Sequence, residues 1–187
     1  MSRNRWFPTS RLAPLAALVL ALPLTRCAST TAAPAASGEL TLTSSAFVDG
    51  GTLPVAYSCD GAGYSPPLAW SGAPVGTVQF AMLMTTLAND GMKWNWVMYG
   101  IPAGVTSLAE SSVSVGAFGL TSDGPDLRYY SPCSQGPGAK TYTFTLYALS
   151  AAPTFSVPAA QVSGPVLTSA IAALILDSSL VSVTYTR

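Results

Sequence analysis

The sequence contains no histidine, and only 9% of its 187 residues are charged. The missing histidine excludes a Ser-His-Asp triad, a Cys-His nucleophile pair and any His-ligated metal. The charged fraction lies far below the roughly 25% of a typical soluble protein. In its place stand 16 glycines, 15 prolines and a hydrophobic content of 49%. Such a chain has one domain's worth of core and many turns, a balance that suits a secreted β protein.

The few charges are unevenly placed. Arg3, Arg5, Arg11 and Arg26 precede Cys27, whereas all eight acidic residues follow it. Beyond Cys27 four basic residues stand against eight acidic ones, a net charge of −4. A mildly acidic body has no basic stripe with which to neutralise phosphates, which argues against nucleic acid as a partner.

Residues 1–26 have the form of a signal peptide. A basic start is followed by a 13-residue apolar segment, Leu12 to Leu24, interrupted by Pro14 and Pro23. That segment is too short for a membrane-spanning helix, which needs about 20 residues. Leu24-Thr25-Arg26-Cys27 then resembles a bacterial lipobox, in which the cysteine is lipidated and becomes the new N-terminus. Arg26 departs from the pattern, which has a small residue before the cysteine. Two readings stay open: a lipid anchor at Cys27, or ordinary cleavage near Ala33-Pro34-Ala35 that discards it. Residues 27–38 are low in complexity, uncharged apart from any new terminus, and without large apolar groups, so they form a flexible linker. The folded domain spans 39–187. Export places it in the periplasm or cell envelope, touching the membrane only through such an anchor.

Within the domain, period-2 alternation dominates. Leu40 to Thr43 alternates, Leu68 to Trp70 is a strand entered through the rigid Pro66-Pro67 pair, and Thr141 to Leu149 sets threonine against aromatic and aliphatic residues. Val78 to Met84 is almost continuously apolar, the mark of a central strand buried on both faces. Asn89-Asp90-Gly91 is a turn before a strand from Lys93 to Ile101. On that strand, alternation places Trp94 and Trp96 on one face. Ser122 to Asp126 carries two carboxylates but too few ligands for a calcium loop, and is a turn. Pro165 to Leu176 is the one helix, with Pro165 at its first position and Gly164 or Ser163 as cap. Leu180 to Tyr185 is a last strand.

Four segments recur together: Tyr57 to Trp70 (Y-S-C-D-G-A-G-Y-S-P-P-L-A-W), Trp94-Asn95-Trp96-Val97, Ser131-Pro132-Cys133 and Tyr142 to Leu149 (Y-T-F-T-L-Y-A-L). In that order and spacing they resemble the bacterial branch of the phosphatidylethanolamine-binding, or Raf-kinase-inhibitor-like, family. The resemblance implies an antiparallel Greek-key β-sandwich with a C-terminal helix, which agrees with the pattern of short strands and long Gly/Pro-rich connections.

The resemblance also implies a pocket for an anion such as a phospholipid head-group phosphate, and that lining is altered here. The family's Asp-Pro-Asp falls on Met84-Thr85-Thr86, so both carboxylates are gone. Its histidine before tryptophan falls on Asn95, and its paired glycines fall on Tyr130-Ser131. Its second histidine falls on Lys140, and the tyrosine that follows remains as Tyr142. A tyrosine in place of an anion-loop glycine puts a ring in the anion's path. The candidate ligand-binding residues are therefore Thr86, Trp94, Asn95, Ser131, Lys140 and Tyr142. They suit a small molecule that is neutral or weakly anionic; the other reading is a vestigial pocket whose polar groups satisfy one another. Cys59 and Cys133 lie in loops that the family brings to one end of the sandwich. In an exported chain this favours a disulfide over two separate buried thiols.

The function expected is non-enzymatic binding of a small ligand, with no cofactor and no metal. Two alternatives accompany it. One is a protein-interaction module such as a protease inhibitor, presenting residues 116–126. The other is a hydrolase using a Ser131–Lys140 dyad, for which no oxyanion-hole motif is recognisable. A single intact-mass measurement on the non-reduced mature protein checks both cysteine expectations. An acylated N-terminus at Cys27 establishes the anchor, and a mass two hydrogens below the thiol form establishes the disulfide. An unlipidated N-terminus beyond Cys27 rejects the anchor.

Overall fold

The structure is a computed structural model that describes residues 38–124, 127–133, 135 and 137–187. The signal segment, Cys27, the linker before Gly38 and Asp126 lie outside the described residues. Nine strands and one α-helix are arranged in chain order as β1 (Thr41–Thr43), β2 (Gly51–Thr52), β3 (Leu68–Ser71), β4 (Gln79–Ala88), β5 (Gly91–Pro102), β6 (Ser107–Leu108), β7 (Ala117–Phe118), β8 (Lys140–Leu149), α1 (Gly164–Ile171) and β9 (Ile175–Tyr185) among the described residues.

The strands form a three-stranded sheet of order β1-β3-β6 and a six-stranded sheet of order β2-β9-β8-β4-β5-β7. Within the larger sheet, the run β8-β4-β5-β7 is the Greek-key order, with β6 diverted to the other sheet. Every named pairing is antiparallel except the short one between β2 and β9, which is parallel. The sequence places Leu53 to Tyr57 after a turn. In the fold, Val55–Tyr57 is a 3-10 turn and the preceding Gly51–Thr52 makes the sheet contact.

Strand β4 occupies the centre of the larger sheet, between β8 and β5. Its continuous apolar run is explained by two cores. Met82 and Met84 face the small sheet and pack with Trp70, Phe80, Trp96, Phe144 and Leu146. Ala81 and Leu83 face the other way and meet Val97, Leu149, Val162, Leu167 and Ile171. Burying a side chain the size of Phe144 or Leu167 contributes about 1.5–3 kcal/mol, so the two layers dominate stability. The sheets are also joined by hydrogen bonds. Backbone N–H groups of Leu40 and Leu42 on the β1 side donate to Asp177 Oδ2 (3.0 Å) and Ser179 Oγ (2.9 Å) on β9.

The C-terminal region differs from the sequence expectation. Helix α1 begins at Gly164 with Ser163 as its cap residue, and it ends at Ile171 rather than Leu176. The last strand begins at Ile175 rather than Leu180. The β8 ladder accounts for both changes: it continues down to a Leu149–Ile175 pair and recruits 175–179 as strand. Ser178 and Ser179 have little helix preference with which to oppose it.

The helix start is tightly packed. A Cβ built on Gly164 would lie 1.9 Å from Trp94 Cδ1, so only glycine lets the first turn close over the indole. Gly164→Ala is therefore expected to destabilise the domain by about 1–3 kcal/mol through overpacking. Urea unfolding at equilibrium measures this, and an unchanged midpoint would refute the packing account.

Candidate functional site

The ends of β4, β5 and β8 surround a cavity of about 340 Å³. Its geometry depends on one irregularity. Along β4 and β5, Met84 pairs with Trp96 but the next residue, Thr85, pairs with Trp94, which leaves Asn95 as the extra residue of a β-bulge. A bulge reverses the alternation of side chains and can redirect one of them. Trp96 faces the inter-sheet core, whereas Trp94 lies on the opposite face against α1 and its cluster. The expectation that the two tryptophans share a face is thus corrected. Trp94 does not line the cavity; Asn95, only 4% exposed, does.

The bulge also frees backbone groups that hold the cavity walls. Tyr130 N–H donates to the Asn95 carbonyl (2.8 Å). Trp94 N–H donates to Ser122 Oγ (2.9 Å), and Ser122 N–H returns a bond to the Trp94 carbonyl (2.9 Å). Next to Ser122, Asp123 Oδ2 accepts from Asn95 Nδ2 at 3.3 Å. Two loops distant from β5 are thereby fastened to a single irregular position.

Most of the candidate residues come together. Thr86, Asn95, Lys140 and Tyr142 all line the cavity. Thr86 donates its hydroxyl proton to the Thr141 carbonyl (2.7 Å), which ties β4 to β8 at the cavity edge. Tyr142 is buried, and burial followed by the nearby Asp123 charge raises its phenol above the usual value of 10.0. Ser131 is placed differently. Its Oγ lies 3.3 Å from where a Gly63 Cβ would be, and it is not among the lining residues; Tyr130 takes the place facing the cavity. The substitution of Tyr130-Ser131 for a glycine pair thus narrows the site with an aromatic ring while the serine turns to the neighbouring loop.

Sequence reasoning did not include Asp123 or Lys93 in the site. Both line the cavity, together with Asp90. Lys93 Nζ and Asp90 Oδ2 form an ion pair at 2.7 Å. That hydrogen bond lowers the carboxyl pKa and raises the ammonium pKa. Asp123 left no signal in any strand pattern, because it enters through a turn attached to the bulge. Buried Asn95 Oδ1 accepts no hydrogen bond among the described residues.

A covalent link braces the remaining wall. Cys59 and Cys133 form a disulfide, with Cα atoms 5.2 Å apart and 74 residues between them in sequence. By loop entropy such a closure stabilises by about 4 kcal/mol. Cys133 lines the cavity, and Cys59 N–H donates to the Pro132 carbonyl (3.0 Å) beside it. Arg187 pairs with Asp60 at 3.0 Å, so the end of the chain closes over the same loop.

Comparison with known proteins bears on the family and the fold. Residues 43–186 match the phosphatidylethanolamine-binding protein family. The chain belongs to that family. Its relatives include the "Putative lipoprotein LppC" of Mycobacterium tuberculosis, 38% identical over 122 residues, which cover 64% of this chain and 60% of that protein. A UPF0098 protein of Methanothermobacter thermautotrophicus is 34% identical over 116 residues, covering 59% of this chain and 76% of the relative. Among solved structures, a phosphatidylethanolamine-binding protein homologue of Chlamydia trachomatis superposes with a TM-score of 0.72 at 27% identity, covering 80% of this chain and 98% of that one. Escherichia coli YbcL gives the same TM-score at 23% identity, covering 80% and 99%, and shares the fold. The family relation therefore extends over the sandwich and the strand ends that carry the cavity.

The tyrosines give the domain a defined alkaline limit. Burial raises the phenols of Tyr129, Tyr142 and Tyr147, and Tyr57 is raised by burial and by its bond to Glu110. Tyr185 is raised first by its hydrogen bond to Asp60. In each case the folded pKa exceeds the unfolded value of 10.0, so the unfolded chain loses its protons first. The unfolded state then binds fewer protons, and stability falls as pH rises above about 10. With no histidine in the chain, the stability measured by urea unfolding is expected to be level between about pH 7 and 9 and to drop beyond about 10. A steep change within the neutral range would contradict this.

Proposed function

We propose that the protein is an exported, non-enzymatic binder of a small polar ligand, held in the cavity at the ends of β4, β5 and β8. The observation that carries the proposal is a site of about 340 Å³ that converges buried Thr86, Asn95 and Tyr142 with charged Lys140. A cavity of this volume lies within the range of natural small-molecule sites, in which convergent polar groups orient the ligand. Asn95 Oδ1 accepts no hydrogen bond among the described residues, so the polar groups around the cavity are not all paired with one another.

The position of Ser131 supports a non-enzymatic reading. Its hydroxyl packs toward Gly63 instead of the cavity, so it is poorly placed to pair with Lys140 as a nucleophile. For location, one relative is named as a lipoprotein. Together with the basic and apolar N-terminal segment, that name favours the cell envelope, with Cys27 as the anchor.

Calorimetry and amide-resolved NMR of the mature protein test the proposal. The probes are inorganic phosphate, acetate, phosphoethanolamine and simple alkylamines. At least one is expected to give saturable heat with shifts at Asn95, Lys140 and Tyr142. Asn95→Ala should weaken that binding by about tenfold, the equivalent of one buried hydrogen bond. Saturable binding that leaves all three residues unshifted would place the function elsewhere on the molecule.

A further inference from the structure

We infer that the uncharged end of the sandwich, opposite the cavity, rests on a neutral lipid bilayer through Val75, Val78, Ile175 and Leu176. This docking rests on Cys27 being the anchor, and it adds a second contact with the membrane to that one.

The β ladders define the end in question. Gln79 pairs with both Pro102 and Leu149, and Leu149 pairs with Ile175, so the four residues stand in one row across β5, β4, β8 and β9. The connections that leave this row are residues 72–78, 103–106, 150–163 and 172–174, and none of them contains a charged residue. The opposite end, at the cavity and its disulfide-braced wall, carries Asp60, Asp90, Lys93, Asp123, Lys140 and Arg187. The domain is therefore polarised along its strands.

Four apolar side chains stand in water at the uncharged end. Val75 is 75% exposed, Val78 54%, Leu176 42% and Ile175 38%. They are neighbours in space, although two come from before β4 and two from the start of β9. Val78 N–H donates to the carbonyl of Leu149 (2.8 Å), the residue that pairs with Ile175. A Cβ built on Gly76 would lie 4.0 Å from Leu176 Cδ1. Single exposed apolar residues are ordinary, but a contiguous set marks a surface that meets a partner or a membrane.

Where the chain enters the domain identifies the occupant. A Cβ built on Gly38 would lie 3.7 Å from the Gly72 Cα, and Leu40 N–H donates to Asp177 Oδ2 at 3.0 Å. Gly72 stands three residues before Val75, and Asp177 directly follows Leu176. The chain thus comes in at the rim of the apolar patch. Eleven residues separate Cys27 from Gly38. Fully extended they reach at most about 40 Å. An anchor on so short a tether holds the patch at high local concentration beside the bilayer, so that a contact too weak to act alone is occupied. Turning the cavity end to the lipid would draw the tether along the strands, about 23 Å between the Gln79 and Thr86 rows, and would press charged groups against an apolar phase. The patch carries no charge and has acidic Glu39 and Asp177 at its rim, so apolar burial holds it and anionic lipid is not required.

The test uses the mature chain, purified from membranes and reconstituted into phosphatidylcholine vesicles. Amide hydrogen exchange is followed at residues 172–177, with 86–95 as the reference, in the parent and in Val75→Asp. Val75 is highly exposed and lies outside every strand, so the urea midpoint of the variant should match the parent. Exchange at 172–177 is expected to be about fivefold slower in the parent than in Val75→Asp on vesicles, with no difference at 86–95. Added salt, which screens charge contacts, should leave that ratio unchanged. Equal exchange in the two proteins while both stay on the vesicles overturns the docking and leaves the anchor standing. A mature chain that carries no acyl group and does not sediment with vesicles overturns both. Protection at 86–95 instead of 172–177 overturns the orientation. Protection that disappears when the protein is diluted among more vesicles assigns the patch to a second copy of the chain and likewise overturns the docking.

Discussion

One extra residue in β5 determines how the site is built. Asn95 interrupts the ladder between β4 and β5, and the interruption turns Trp94 toward α1 and Trp96 into the inter-sheet core. Each indole fills a different layer, so the bulge is held by packing on both faces of the sheet. The same interruption exposes a backbone carbonyl and an amide side chain to loops that would otherwise have no regular partner. Tyr130 and Asp123 reach the cavity because those groups are available. A bulge held this firmly acts as a structural device and not as a fault in the sheet.

Much of the fold was legible because it rests on periodicity and on a few rigid motifs. The unbroken apolar run of β4 could only be a strand covered on both sides, and the Thr-alternating β8 could only be half-buried. What the sequence concealed has physical reasons. Nothing in the run from Lys93 to Val97 distinguishes a bulged residue from a regular one, so the parity of Trp94 was misread. The extra turn of helix assigned after Ile171 satisfies local preference, but it loses to the β8 ladder, which offers a hydrogen bond per residue. The resemblance set the paired glycines on Tyr130-Ser131, and of the two it is Tyr130 that lines the cavity. Asp123 is the plainest case, since a carboxylate in a turn carries no periodicity by which its neighbours across the fold could be inferred.

Membership of the family gives a fold with considerable precision and an activity with much less. The sandwich and the placement of its cavity follow the shared motifs, while the polar lining does not. Where the resemblance leads one to expect Asp-Pro-Asp, this chain has Met84-Thr85-Thr86, and the carboxylates that line its cavity are Asp90 and Asp123, from two separate turns. Relocating charge from strand to loop keeps the site's concavity but changes which atoms face a ligand. The fold therefore constrains where chemistry can occur, and the loops decide what it is.

The wide sequence span of the cavity has a consequence for how the protein comes into being. A chain is made from its N-terminus, and the hairpin of β4 and β5 joins neighbours in sequence, so it can assemble early. The cavity cannot. Its rim draws on residues from Thr86 to Tyr142, and β8 must dock on β4 before the last of them arrives. The half of the sheet that closes the site is thus among the last parts to organise. Until then β4 presents an unpaired edge, the kind of surface through which partly folded chains aggregate.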